Sequence, residues 1–135
     1  MVEKAQLLAM MAAAMDWRGK AYAPYSNFRV GAAVMGGSGK VHMGCNVENA
    51  SYGLTVCAER VAIWKAISDG ETKLRAVVIA VEDEQMPRPC GACLQVMTEF
   101  APADEPMQIM TVSGDNTYEL HTLDDYLPMP FRLEE

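Results

Sequence analysis

Two hydrophobic rhythms alternate along this chain. Residues 2–19 are rich in Ala, Met and Leu, carry no Pro and hold a single Gly near their end, which predicts a first helix. Gly19 and the Pro-containing segment Tyr22–Ser26 end it. Residues 28–36 read as a strand, Gly36–Gly39 as a turn and 40–46 as a second strand, so the pair is a hairpin. Over 57–69 the apolar positions Val61, Ala62, Trp64, Ala66 and Ile67 recur at helical spacing, ended by Gly70. Residues 75–82 form a continuous apolar run, typical of a strand buried on both faces. Pro87 and Pro89 interrupt the chain before a third helix at about 91–100, and short strands are expected near 107–112 and 116–121. The order α, β, β, α, β, α, β, β implies a mixed five-stranded sheet between helices, a three-layer α/β/α sandwich.

Length adds little to that picture and charge adds more. The 135 residues suit one domain spanning 1–135, half of them are hydrophobic, and no repeat, low-complexity tract or linker divides them. No apolar run approaches the roughly 18 to 20 residues needed to span a bilayer. The first residues lack the basic flank and apolar stretch of a signal peptide, so a cytoplasmic location is expected. The 18 acidic against 11 basic side chains leave a formal charge of -7. A protein that tracks a phosphate backbone carries a basic face, so the composition argues against nucleic-acid substrates and suits a neutral small molecule.

Cysteine spacing brings in the chemistry. Of the four cysteines, Cys90 and Cys93 form a C-x-x-C directly after Pro89, at the start of a predicted helix. Residues three apart on a helix share a face, so both sulfurs can reach one ion. Cys57 opens another predicted helix. Three thiolates with a fourth position left open is the pattern of a catalytic zinc, whereas a structural zinc is usually closed by four protein ligands. Glu59, two residues after Cys57, is placed to shuttle protons. Three thiolates give the site a net charge of about -1, which opposes ionisation of a bound water. The N-termini of both helices and Arg60 are candidates to offset it. C-x-E followed by P-C-x-x-C is the signature of zinc nucleobase deaminases. Cys45 lacks ligand spacing and reads as a buried thiol; His42 and His121 have no partners at metal spacing.

Several further segments match in the same order: Pro24–Phe28, Val30–Ala33, Gly44–Tyr52, Cys57–Arg60 and Pro89–Cys93. With them the chain resembles the small homotetrameric cytidine deaminases, from about Ala21 to Phe100 and again, weakly, over Tyr126–Phe131. The resemblance implies that Cys57, Cys90 and Cys93 bind one Zn²⁺ per chain and that Glu59 is the acid/base. It also implies that Asn46 and Glu48 bind the ribose 3′-hydroxyl, that Phe28 packs on the pyrimidine, that Ala58 lines the substrate site and that Phe131 approaches a neighbour's site. The expected reaction is hydrolytic deamination of cytidine or deoxycytidine to the uridine and ammonia, in pyrimidine salvage. Two departures stand out: Leu94 follows Cys93 where the family usually has Arg, and Gly53 stands where bulkier residues are common. They leave open a same-fold deaminase of another aminopyrimidine, such as blasticidin S or a modified nucleoside. The reading from another class is a non-catalytic zinc protein, which would not need Glu59.

Overall fold

The computed structural model describes residues 1–133. Helix α1 (Lys4–Trp17) starts behind a reciprocal capping pair, Glu3 with Gln6, and tightens into a 3₁₀ turn at Arg18–Lys20. Strands β1 (Val30–Gly36) and β2 (Val41–Cys45) form the expected hairpin, followed by a 3₁₀ turn at Tyr52–Leu54. Then come α2 (Ala58–Ser68), β3 (Leu74–Val81), α3 (Gly91–Glu99), β4 (Gln108–Val112), β5 (Tyr118–Thr122) and α4 (Leu123–Tyr126). The five strands lie in the order β2-β1-β3-β4-β5. Only β3 and β4 are parallel, joined through α3; the other pairs are antiparallel, so the sheet is mixed as expected.

Strand periodicity separates two cores. On one face Ala32, Val34, Val77, Ile79 and Ile109 pack under α2 and α3. On the other, Ala33, Met35, Val78, Ala80 and Met110 pack under Leu7, Met10 and Ala14 of α1. These are the three layers. Glycines in the hairpin set how closely the helices approach. A Cβ on Gly44 would lie 2.5 Å from the Ala62 nitrogen and 2.9 Å from the Ala58 carbonyl oxygen, so β2 admits the first turns of α2 only because that residue lacks a side chain. No helix among the described residues is long and apolar enough to cross a membrane.

The register gathers the functional loops at one end of the sheet. Val30 pairs with Val81 and Gly31 with Cys45, so the start of β1, the end of β2 and the end of β3 lie together. The loop carrying Phe28 enters there, Asn46 and Glu48 leave there, and the Pro-rich segment leads from β3 to Cys90. Ala62, Ile63 and Ala66 face the core, while Trp64 is 48 % exposed. Each helical residue turns the direction by about 100°, so with Ile63 inward Trp64 is carried to the outer side. There it joins Val47, Val56 and Val61 in an apolar surface groove.

At the far end of the hairpin, buried His42 is satisfied rather than orphaned. Its Nε2 lies 3.1 Å from the Glu71 carboxylate and its Nδ1 3.6 Å from Asp69. Glu71 also accepts from the Ser38 backbone N–H and hydroxyl. The Ser38 hydroxyl, followed by His42, holds the Glu71 carboxyl below the usual carboxylate range. A depressed carboxyl stabilises the fold above its unfolded value, and that contribution is lost as pH falls through the folded one. Glu71→Ala should therefore cost about 1 to 3 kcal/mol at neutral pH, because His42 and Ser38 lose their acceptor. Thermal melts should show the variant's Tm falling less than the parent's on acidification below the carboxylate range.

Candidate active site

Cys57 and Cys90 are the N-cap residues of α2 and α3, each with extended backbone (ψ 153° and 163°). An N-cap residue lies outside the helix, so its side chain can turn back over the exposed N–H groups of the first turn. Cys90 does so: its sulfur accepts from the Cys93 N–H at 3.5 Å. Cys93 follows within the first turn of α3, its sulfur 3.5 Å from that of Cys90. The three sulfurs of Cys57, Cys90 and Cys93 all lie within 4.8 Å of one another, a group that could hold one metal ion. Cys45 is kept apart as a buried thiol.

The electrostatics of this cluster suit a cation. The Cys57 thiol is pushed down to about 5, first by the hydrogen bond from Cys93 and then by Arg60. Cys93, as the donor of that bond, is correspondingly raised. Arg60 Nη2 donates to the Cys57 sulfur at 3.4 Å, and the Nε of the same side chain is buried without a partner. A dehydrated guanidinium tolerates such a position when concentrated negative charge faces it. Thiolates preorganised at two helix N-termini, with a guanidinium against them, form a donor set that fits zinc.

Glu59 occupies the first turn of α2, between Cys57 and Arg60, and is only 5 % exposed. Burial raises its carboxyl to about 7, with the Cys57 charge adding to the effect. A carboxyl that titrates near neutrality can both take and return a proton under working conditions. Ala58 is fully buried beside it, against the core.

The sugar-side candidates are gathered by the loop ahead of β1. Asn46 is buried: its Oδ1 accepts from the Val30 N–H at 2.9 Å and its Nδ2 donates to the Phe28 carbonyl at 2.8 Å. Glu48 Oε1 accepts from the backbone N–H groups of Tyr25 and Ser26, and Oε2 accepts from the Ser26 hydroxyl. The Ser26 hydroxyl, above all, holds the Glu48 carboxyl below its usual range. Phe28 is 43 % exposed, so its ring is free of the core and available to pack on a ligand. Sequence reasoning missed Ser26, although it lies inside the matching segment Pro24–Phe28. Its part depends on a loop contact with Glu48 that spacing does not reveal.

Two departures and the tail resolve differently. Leu94 is buried in the core cluster with Ala58, Cys93 and Met97, so it fills volume there as an apolar side chain. Gly53 sits in the exposed 3₁₀ turn with open space around a would-be Cβ, so nothing in this chain requires glycine there. Phe131 lies along the outer side of α3 near Thr98 and Glu99. Its carbonyl accepts from Gln95 Nε2 at 2.8 Å, while the residue is 70 % exposed. The chain thus anchors the tail's backbone and leaves the ring outward.

Known proteins resemble this chain in sequence and fold. Residues 4–108 match the family described as "Cytidine and deoxycytidylate deaminase zinc-binding region". A cytidine deaminase of Halalkalibacterium halodurans is 43 % identical over 122 residues, covering 90 % of this chain and 91 % of that protein. A probable cytidine deaminase of Dictyostelium discoideum is 39 % identical over 124 residues, covering 91 % and 82 %. The crystal structure of cytidine deaminase from Burkholderia pseudomallei superposes with a TM-score of 0.85 at 42 % identity, covering 92 % of this chain and 98 % of that one. The matched residues span all three convergent cysteines and Glu59. On fold, motif and likeness over nearly its whole length, the chain belongs to the zinc-dependent cytidine deaminase family.

Proposed function

We propose that this chain hydrolytically deaminates cytidine and deoxycytidine to uridine and deoxyuridine, releasing ammonia. The observation that carries the reading is a buried carboxyl titrating near 7, Glu59, set beside three convergent cysteine sulfurs. Cys57, Cys90 and Cys93 would hold Zn²⁺, and the ion, when bound, supplies Lewis acidity that makes a water nucleophilic at neutral pH. Glu59 takes the proton from the attacking water and delivers it to N3 of the pyrimidine. The oxygen bonds to C4, and Glu59 then passes the remaining proton of that C4 hydroxyl to the exocyclic amine as the C4–N bond breaks, leaving a C4 carbonyl and ammonia. Arg60 offsets the thiolate charge that would otherwise hold the carboxyl's proton too tightly. Phe28 packs on the base. Asn46 and Glu48 meet a ribose hydroxyl, which fixes C4 over the reacting centre and turns binding energy into positioning.

The groove beside Glu48 supports a nucleoside rather than a nucleotide. Tyr25, Ser26, Glu48, Asn49, Tyr52 and Thr55 line a space of about 390 Å³, with no Lys or Arg among them. A phosphate held in that groove would meet a carboxylate and no Lys or Arg, and the chain's charge of -7 would add to the repulsion. The same argument disfavours polynucleotides. Ammonia release from cytidine, deoxycytidine, cytosine, deoxycytidylate and blasticidin S tests the reading. Turnover of the two nucleosides should exceed that of deoxycytidylate by at least about tenfold, as expected for an uncompensated charge. Preference for deoxycytidylate or blasticidin S would contradict it.

The assembly we propose is a homotetramer in the cytoplasm, acting in pyrimidine salvage. Trp64, Val47, Val56 and Val61 expose a joined apolar groove, and Tyr22, Tyr52 and Leu54 are exposed as well. Contiguous apolar surface of this kind marks association sites. In this assembly Phe131, which is 70 % exposed, would reach a neighbour's pocket. Light scattering should give four chains per particle. Deleting residues 129–135 should raise KM while zinc content stays normal. A fully active monomer would contradict both.

A further inference from the structure

The residues expected to read the sugar are also the ones that hold the aromatic wall of the base site. Phe28 has its backbone pinned on both sides. Its carbonyl accepts from Asn46 Nδ2 at 2.8 Å. Its N–H donates to the Ser26 hydroxyl oxygen at 3.0 Å. Between Ser26 and Phe28, Asn27 adopts a left-handed φ of 56°, a region in which Asn is enriched among side-chain-bearing residues. The Ser26 hydroxyl donates its proton to Glu48 Oε2, so a single oxygen links the carboxylate to the Phe28 backbone.

Counting partners shows how this coexists with a sugar. A carboxylate offers about four acceptor positions, and Glu48 fills three with Tyr25 N–H, Ser26 N–H and Ser26 Oγ. One remains, on Oε2. The Asn46 amide keeps one N–H and one acceptor position after its bonds to Phe28 and Val30. That is enough to accept from one hydroxyl and donate to it, without breaking any bond that holds the loop.

We propose that Ser26 is a positioning residue: its hydroxyl ties the Glu48 carboxylate to the Phe28 backbone and so sets the ring against the pyrimidine. This rests on the nucleoside reading above, with Phe28 against the base and Glu48 at the sugar. Ser26 touches no reacting atom, and its effect passes through Phe28. It follows that a loss at Ser26 is felt even by a substrate with no hydroxyl for Glu48 to bind.

Ser26 is exposed, so substitution there removes no core contact. The experiment compares parent, Ser26→Ala and Ser26→Thr proteins, all zinc-loaded, on cytidine and on 2′,3′-dideoxycytidine. Ser26→Ala should raise KM about tenfold on both substrates, the size expected for a charge-assisted hydrogen bond, with kcat within about twofold, and zinc content and Tm unchanged. Ser26→Thr keeps the hydroxyl and should stay within about twofold of the parent. In a Phe28→Ala background, Ser26→Ala should add less than about twofold, since its route of action is gone. A KM rise confined to cytidine would overturn the proposal, because Ser26 would then act only through the sugar contact of Glu48. So would full additivity with Phe28→Ala. Failure of the parent to turn over either substrate would instead overturn the nucleoside reading itself.

Discussion

Glu59→Gln should lower kcat by about 10² to 10⁴ while zinc stays bound and the fold intact. Gln has nearly the same shape, so the tight packing of Glu59, 5 % exposed in the first turn of α2, is preserved. What is lost is the ability to take and return a proton. Burial brings the parent carboxyl to about 7, so at neutral pH a substantial share of molecules carries it ionised and ready to act as base. An amide offers no such state. Steady-state kinetics at matched zinc occupancy measure the effect. Near-normal turnover in the variant would mean that another group moves the proton.

Cys90→Ala should lower zinc from one ion per chain to near zero, and activity with it. Cys90 caps α3, and its sulfur lies 3.5 Å from that of Cys93, so removing it leaves two sulfurs where three converge. Two thiolates on an otherwise open site bind zinc far less tightly than three, and the metal's folding contribution goes with it. Elemental analysis of purified parent and variant reads this directly. An active parent preparation holding no zinc would remove the basis of the proposed chemistry.

Local features were legible in the sequence and long-range ones were not. Helix starts at Cys57 and Cys90 could be read because cap position, Pro89 and spacing are all local signals, and the convergence of Cys57 with Cys90 and Cys93 follows once both helices start at the same end of the sheet. The buried run over β3 was legible because both cores claim its side chains. Helix α4 was missed: four residues are too few to show a period, and its capping pair, Thr122 with Asp125, lies in a segment that also reads as strand. Trp64 belongs to the apolar pattern of α2 yet lies outward beside Val47 and Val61, because helical spacing alone does not say which face meets the sheet. The Ser26–Glu48–Phe28 relay was invisible because it joins residues from two loops through backbone groups, which no side-chain pattern records.

Incubating the zinc-loaded protein with cytidine in ¹⁸O-labelled water, and weighing the products by mass spectrometry, puts the whole reading at risk in one step. Uridine carrying one solvent-derived oxygen on the base, with an equal amount of ammonia, is the expected result. Cytidine recovered unchanged, or uridine without the label, would contradict hydrolytic deamination at C4.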